Sequence, residues 1–181
     1  MEIKYRAEIY KLLPNKDSVI AELGVAEGNF SRDMLNWPNV KKLYSIDLWE
    51  TINGQKGDGG YEQEWHNANY NNAVRLLKPF GERSEILRGL THEMSSHIED
   101  ESLDLLYIDA DHSYKGVMND LIAWFPKVKK GGYVSCHDYL MGHYGVNQAV
   151  KEFTSQNNIF EVLTIEENKP DDAGCIFKKP C

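Results

Sequence analysis

The sequence predicts an α/β fold: a doubly wound, mostly parallel sheet with helices on both faces. Three observations carry that prediction. Short apolar runs alternate with helical periods through five strands, the pattern of successive β-α-β units. Residues 103–108, Leu-Asp-Leu-Leu-Tyr-Ile, are nearly all apolar, as a strand covered on both faces must be. The last two strands are separated only by a short polar segment, which pairs them antiparallel.

In chain order, residues 4–13 read as a helix with Tyr5, Ile9 and Leu12/Leu13 on one face, ended by Pro14-Asn15. Residues 18–23 are the first strand, 29–36 a short helix stopped near Pro38, and 42–47 the second strand. The segment 53–60, Asn-Gly-Gln-Lys-Gly-Asp-Gly-Gly, holds four glycines and reads as a mobile loop, because glycine is the costliest residue to order. A helix over 61–77 ends near Pro79, and residues 84–88 are the third strand. The fourth strand, 103–108, leads into a helix at 115–125. Lys129-Lys-Gly-Gly132 reads as a turn into a fifth strand at 133–136. A helix at 145–156 precedes two last strands, 160–165 and 174–177, joined by a polar turn holding Pro170-Asp171-Asp172. Five strands in parallel register and two antiparallel ones make a seven-stranded sheet in a three-layer α/β/α arrangement, with right-handed crossovers.

The chain has 181 residues, with 20 Lys+Arg against 28 Asp+Glu and a net charge of −8. This length suits one domain, residues 1–181, burying roughly 70% of its unfolded surface. At 41% hydrophobic and 27% charged it reads as an ordinary globular chain. The acidic balance argues against nucleic acid as a partner, since phosphate readers collect positive charge. No apolar run approaches the ~18 residues that span a bilayer, and the N-terminus has no apolar signal region. The three cysteines, Cys136, Cys175 and Cys181, have neither disulfide-framework nor zinc spacing. They read as reduced thiols of a cytoplasmic protein, two packed inside and one free near the terminus.

In such a sheet ligands bind beyond the carboxyl ends of the strands, where strand order reverses. After strand 1 stands Glu22-Leu-Gly24-Val-Ala-Glu27-Gly28, two glycines that let the backbone turn sharply and approach a ligand. The spacing is G-x-x-x-G, not the G-x-G-x-x-G of dinucleotide sites, and Glu27 would repel a pyrophosphate, which disfavours NAD. Glu22 instead suits a ligand with a cationic group; the alternative is a tight turn with no ligand. Asp47, 25 residues beyond Glu22, ends strand 2, where a carboxylate can accept from both ribose hydroxyls. Trp49 is placed to lie against an adenine, and Gly89-Leu90-Thr91 after strand 3 to border it. Strands 4 and 5 deliver Asp109, Asp111, His112, His137 and Asp138 to one region. Carboxylates and imidazoles converging there can bind a divalent cation or supply a general base. Asp111 and Ser113 are also suited to capping the helix that follows. His66, His92 and His97 read as surface side chains, whereas His143 can reach the site.

With these pieces in place the chain resembles class I S-adenosylmethionine-dependent methyltransferases, which share a Rossmann-like sheet whose last inserted strand is antiparallel. The resemblance runs from Ser18 to about Phe177. It rests on Glu22-x-Gly24-x-x-x-Gly28, Asp47, Asp109-Ala-Asp-His-Ser-Tyr114 and Lys130-Gly-Gly-Tyr-Val-Ser-Cys-His-Asp-Tyr139. It is strongest to a small bacterial group whose strand-4 motif reads Asp-Gly-Asp-His-x-Tyr, related to metal-dependent O-methyltransferases of sugars and phenols. The resemblance implies that Glu22, Gly24 and Gly28 cradle the methionine part of S-adenosylmethionine, that Asp47 holds the ribose, and that Trp49, Leu90 and Thr91 flank the adenine. Asp109 would sit by the sulfonium. Asp109, His137 and Asp138 would be the metal ligands, and His112 the general base. His137 stands where an acid is usual, which weakens a preference for Mg²⁺ and admits Mn²⁺, Zn²⁺ or no metal.

The expected activity is methyl transfer to a hydroxyl of a small molecule or sugar. A metal-dependent hydrolase, an NAD-linked oxidoreductase and a non-catalytic cofactor-binding module are the alternatives. Residues 50–66, with Tyr61 and Trp65, are the expected lid. So short a cover fits either a large acceptor in an open site or help from a second subunit in a homo-oligomer.

Overall fold

The structure, a computed structural model, describes residues 3–14, 16–52, 60–142, 145–166 and 173–181. Its elements are β1 (Ser18–Leu23), α1 (Asn29–Leu35), β2 (Val40–Asp47), α2 (Gln63–Leu77), β3 (Ser84–Arg88), α3 (Thr91–Met94), β4 (Leu103–Ile108), α4 (Tyr114–Trp124), β5 (Val128–Cys136), α5 (Val146–Gln156), β6 (Val162–Ile165) and β7 (Gly174–Lys178). They form one seven-stranded sheet in the order β3-β2-β1-β4-β5-β7-β6. β1, β2, β3, β4 and β5 pair in parallel, and β7 runs antiparallel to both β5 and β6. Strand order reverses between β1 and β4, so the crevice expected of a doubly wound sheet lies above those two strands.

The apolar run of β4 is buried along its whole length. Alternate residues feed two cores. Leu105 and Tyr107 join Ile20, Leu43, Met34 and Leu35 on the α1 face. Leu106 and Ile108 join Leu23, Val134, Val117, Leu121 and Trp124 on the α4 face. This double coverage is what an all-apolar strand implies.

Several elements differ from the sequence reading. The N-terminal helix is a 3-10 turn over Arg6–Leu12. Lys129–Gly132, expected as a turn before the fifth strand, lies inside β5 as a bulge. The register there jumps from Leu103↔Val128 to Leu105↔Tyr133, and Gly131 takes φ +76°, a conformation glycine tolerates best. The short turn expected at Gly89-Leu90-Thr91 runs straight into a one-turn helix, Thr91–Met94. Most of the glycine-rich loop, His143 and the Pro170-Asp171-Asp172 turn lie outside the described residues. Cys136 and Cys175 are buried and Cys181 is exposed, all as free thiols. Among the described residues no helix is long and apolar enough to cross a membrane.

Candidate active site

The sheet ladder runs past the strand ends and fixes the backbone of the site. Gly24 donates to Ile46 O at 2.9 Å, Asp109 to Leu23 O at 2.8 Å, His137 to Ile108 O at 2.9 Å, and Gly89 to Asp47 O at 3.0 Å. Parallel register therefore brings Gly24, Asp47, Asp109 and His137 to one edge of the sheet.

At the β1/β2 end the glycine turn is held by a carboxylate. Asp47 Oδ2 accepts from the Val25 and Ala26 amides, both at 2.8 Å, and Oδ1 accepts from Trp49 N at 3.0 Å. A Cβ at Gly24 would lie 2.0 Å from the Asp109 carbonyl oxygen, and one at Gly28 would lie 2.9 Å from Ala73 Cα on α2. Both glycines also have φ above +80°, at +85° and +83°. The turn thus needs glycine for space and for conformation. Ala26, Trp49 and Asp138 are non-glycine residues at positive φ, one each beyond β1, β2 and β5. Such strain gathers at functional sites.

Glu22 lies beneath the turn, 2% exposed, and accepts a hydrogen bond from Ser31 Oγ. Burial pushes its carboxyl up to about 8 against the pull of Ser31, and Asp109 and Asp47 add to the rise. A carboxyl held neutral by burial has a proton to release, so a cation brought to this end of β1 would favour its ionised form.

Trp49 departs from its expected place beside an adenine. Its left-handed backbone, φ +47°, turns the indole under the glycine turn, where it packs with Val25 and Ala73 at 1% exposure. Its Nε1 donates to Ala26 O at 2.9 Å. The side chain braces the turn and presents no face to a ligand. Leu90 and Thr91 follow β3 as expected, Leu90 being 39% exposed. Thr91 Oγ1 donates to Asp120 Oδ1 at 2.6 Å, and Trp124 Nε1 donates to Thr91 O at 2.9 Å. Asp120 is 1% exposed and its Oδ2 has no hydrogen-bond partner, so burial pushes its carboxyl up to about 7.

At the β4/β5 end the five expected residues separate into two groups. Asp111 Oδ1 accepts from Ser113 N at 2.9 Å, and Ser113 Oγ accepts from Gly116 N at 3.0 Å, so this pair caps α4. The other four converge. His112 Nε2 lies 3.2 Å from Asp109 Oδ1 and 3.3 Å from Asp138 Oδ2. His137 Nδ1 lies 2.9 Å from Asp138 Oδ1 and 3.4 Å from Asp109 Oδ1. That nitrogen is buried and makes no well-directed hydrogen bond. Burial alone would lower both imidazoles, but Asp109 and Asp138 outweigh it and raise both. One ligand atom each from Asp109, His137 and Asp138 falls within 4.8 Å of the others, the spacing of a metal-binding group. Two carboxylates and an imidazole whose Nδ1 faces both of them fit a divalent cation.

Two polar residues escape the sequence reading. His66, expected at the surface, is 6% exposed, and Asn69 is 4% exposed. Both lie on the inner face of α2, and His66 Nε2 and Asn69 Nδ2 are buried without hydrogen-bond partners. The only signal available in sequence was that His66, Asn69, Ala73 and Leu77 follow one another at gaps of 3, 4 and 4, one face of a helix.

A methyltransferase-domain family profile matches residues 21–139, the span from β1 through the β4/β5 cluster. The chain belongs to that family. An uncharacterized protein of Sinorhizobium fredii is 30% identical over 104 residues, 58% of this chain but 11% of that protein. An uncharacterized protein of Acanthamoeba polyphaga mimivirus is 29% identical over 123 residues, 68% of this chain and 52% of its own length. The chain thus spans about half or less of these relatives. Among solved structures, the O-methyltransferase NovP superposes with a TM-score of 0.67 at 23% identity, covering 97% of this chain and 76% of its own. The Bacillus cereus O-methyltransferase bound to S-adenosylhomocysteine gives 0.63 at 12%, covering 89% and 73%. An rRNA methylase of Streptococcus thermophilus gives 0.65 at 13%, covering 96% and 92%. At these identities the likeness is one of fold, and the fold is that of the class I S-adenosylmethionine-dependent methyltransferases.

Proposed function

We propose that this chain transfers the methyl group of S-adenosylmethionine to a hydroxyl oxygen of a small molecule or sugar, with a divalent cation at the β4/β5 end. The observation that carries the reading is the convergence of Asp109, His137 and Asp138 within 4.8 Å, with His112 Nε2 beside both carboxylates. The donor's sulfonium supplies an electrophilic methyl, so the protein's task is to align the acceptor and remove its proton. A cation at the three ligands would lower the pKa of an acceptor hydroxyl.

The residues of the chain do the rest. Asp47 and the glycine turn hold the nucleoside. Asp109, with its main chain against Gly24, ties the donor end to the metal ligands. His112 receives the acceptor proton at Nε2. His137 replaces an oxygen ligand by nitrogen and shifts preference from Mg²⁺ towards Mn²⁺ or Zn²⁺. The net charge of −8 supports a small acceptor over nucleic acid, and the buried thiols Cys136 and Cys175 support a cytoplasmic setting.

The test is methyl transfer from labelled donor to a panel of phenols, catechols and sugars, before and after chelation. Chelation should abolish transfer and added Mn²⁺, Zn²⁺ or Mg²⁺ should restore it. Asp138→Ala should lose the bound metal by elemental analysis. Full turnover of a protein shown to be metal-free would remove the cation from the reading.

A further inference from the structure

A cavity of about 360 Å³ opens at the opposite end of the sheet from the candidate active site. Leu12, Leu13 and Pro14 form one wall. Asp104 at the start of β4, Lys129 and Lys130 of β5 and Lys178 of β7 form another. Asp109 and His137 lie five residues beyond Asp104 and Gly132, so about 16 Å of strand separates the cavity from the Asp/His cluster. The β5 bulge builds the polar wall. Between the pairs Leu103↔Val128 and Leu105↔Tyr133, residues 129–132 stand opposite Asp104 alone, and a bulge re-aims the side chains it carries.

Five lysines gather here in a chain of net charge −8, and they divide into two groups. Lys127 and Lys179 hold the fold and do not line the cavity. Lys127 Nζ pairs with Asp100 Oδ1 at 2.6 Å, and Lys179 Nζ donates to Phe125 O at 2.9 Å and Val128 O at 2.7 Å. The other three line it. Asp104, 7% exposed, accepts from Val19 N at 2.8 Å and from Lys129 Nζ at 2.8 Å on each oxygen, which fixes that ammonium at the wall. Lys178 Nζ lies 5.8 Å from the centre of the Tyr133 ring. Lys130 and Lys178 are exposed, and among the described residues neither meets a carboxylate. Three ammonium groups less one carboxylate give the cavity a formal charge of +2.

We propose that this cavity is a binding site for a phosphomonoester, its dianionic phosphate between Lys129, Lys130 and Lys178 and its carbon body against Leu12, Leu13 and Pro14. The inference is independent of the methyl-transfer reading. A dianion matches the formal charge, whereas a monocarboxylate would leave one ammonium unmatched. The volume falls in the range of small-molecule sites, roughly 300–1,000 Å³, and leaves room beside a phosphate group for a compact body. A nucleic-acid strand would need aromatic faces on which bases stack, and Tyr133, the aromatic residue of the wall, carries Lys178 over its ring.

Calorimetry on the full chain at pH 8, after chelation, tests this with three probes. Phenyl phosphate has both charge and body, inorganic phosphate the charge alone, and benzoate the body with a single charge. Phenyl phosphate should bind most tightly. Lys130→Gln and Lys178→Gln should each weaken it about 3–5-fold, the worth of an exposed ion pair, and the double variant about 10-fold or more. Leu12→Ser should weaken phenyl phosphate and leave inorganic phosphate unchanged. Lys151→Gln, an exposed lysine of α5, and Asp138→Ala should leave all three probes unchanged. Wild-type protein that does not bind phenyl phosphate overturns the site. So does a loss in Lys151→Gln equal to that in Lys130→Gln, or a loss in Asp138→Ala, which would move the anion to the Asp/His cluster. An RNA oligonucleotide that binds more tightly than phenyl phosphate through the same lysines would make the face a strand-binding surface and overturn the small-molecule site.

Discussion

The two halves of the site are built on different principles. At the β1/β2 end, geometry comes from the main chain. Asp47 accepts three amide hydrogens, Trp49 braces Ala26 O, and two glycines fit where a Cβ cannot. At the β4/β5 end, the main chain is equally rigid but the side chains are electrostatically incomplete. Two carboxylates and two imidazoles face one another, and His137 Nδ1 stays without a well-directed partner. The first end is a fixed shape. The second holds negative charge close together for a cation or a proton. Substitutions at the two ends should therefore fail in different ways.

The largest effect should come from the electrostatic end. His112→Ala should lower kcat by about 10²–10⁴-fold, the usual contribution of a positioned base, while S-adenosylhomocysteine binding and the urea midpoint stay near wild type. Full activity on the true acceptor would remove His112 as the base. Loss of cofactor binding would show that the two ends are not separable.

At the geometric end the failure should be one of folding. Gly24→Ala puts a Cβ 2.0 Å from the Asp109 carbonyl oxygen at φ +85°. The clash is with backbone just beyond the central strand β4, where Asp109 N is tied to Leu23 O at 2.8 Å. Left-handed strain and overpacking together should cost about 3 kcal/mol, read from the urea midpoint. Cofactor affinity should fall with it. A variant as stable as wild type would mean that the loop relaxes and that the turn is not held as described.

The same contrast explains what the sequence could disclose. The alternation of apolar runs with helical periods is set by burial, so the positions of β1, β3 and β4 could be read residue by residue. Asp109, His112, His137 and Asp138 were legible as a cluster because parallel register carries adjacent strand ends to one place. Trp49 was not, because a single left-handed residue reverses its side chain and no periodicity reports that. Lys129–Gly132 read as a turn because a bulge inside a strand uses the same glycines as a turn outside one. Asn69 and His66 stayed hidden for another reason. Polar residues on a helix are normally solvated, and only the packing of α2 against the glycine turn shows that these two are enclosed.

A smaller effect separates the two ends once more. Asp120 belongs to neither, yet it holds Thr91 below the crevice with a carboxyl pushed up to about 7 from an ordinary 3.8. Its folded pKa is the higher one, so its protonated form favours the native state. That contribution is complete below about pH 4 and is lost as pH rises through 7. Asp120→Asn cannot ionise, and its amide oxygen can still accept from Thr91. The variant should match wild type near pH 5 and exceed it by about 1–3 kcal/mol at pH 8, part of the gain being spent on an amide nitrogen still lacking a partner. Paired urea titrations at the two pH values read the difference directly. A gap that does not change with pH would mean that Asp120 is ionised throughout and that a cation or water not bonded to Thr91 satisfies Oδ2.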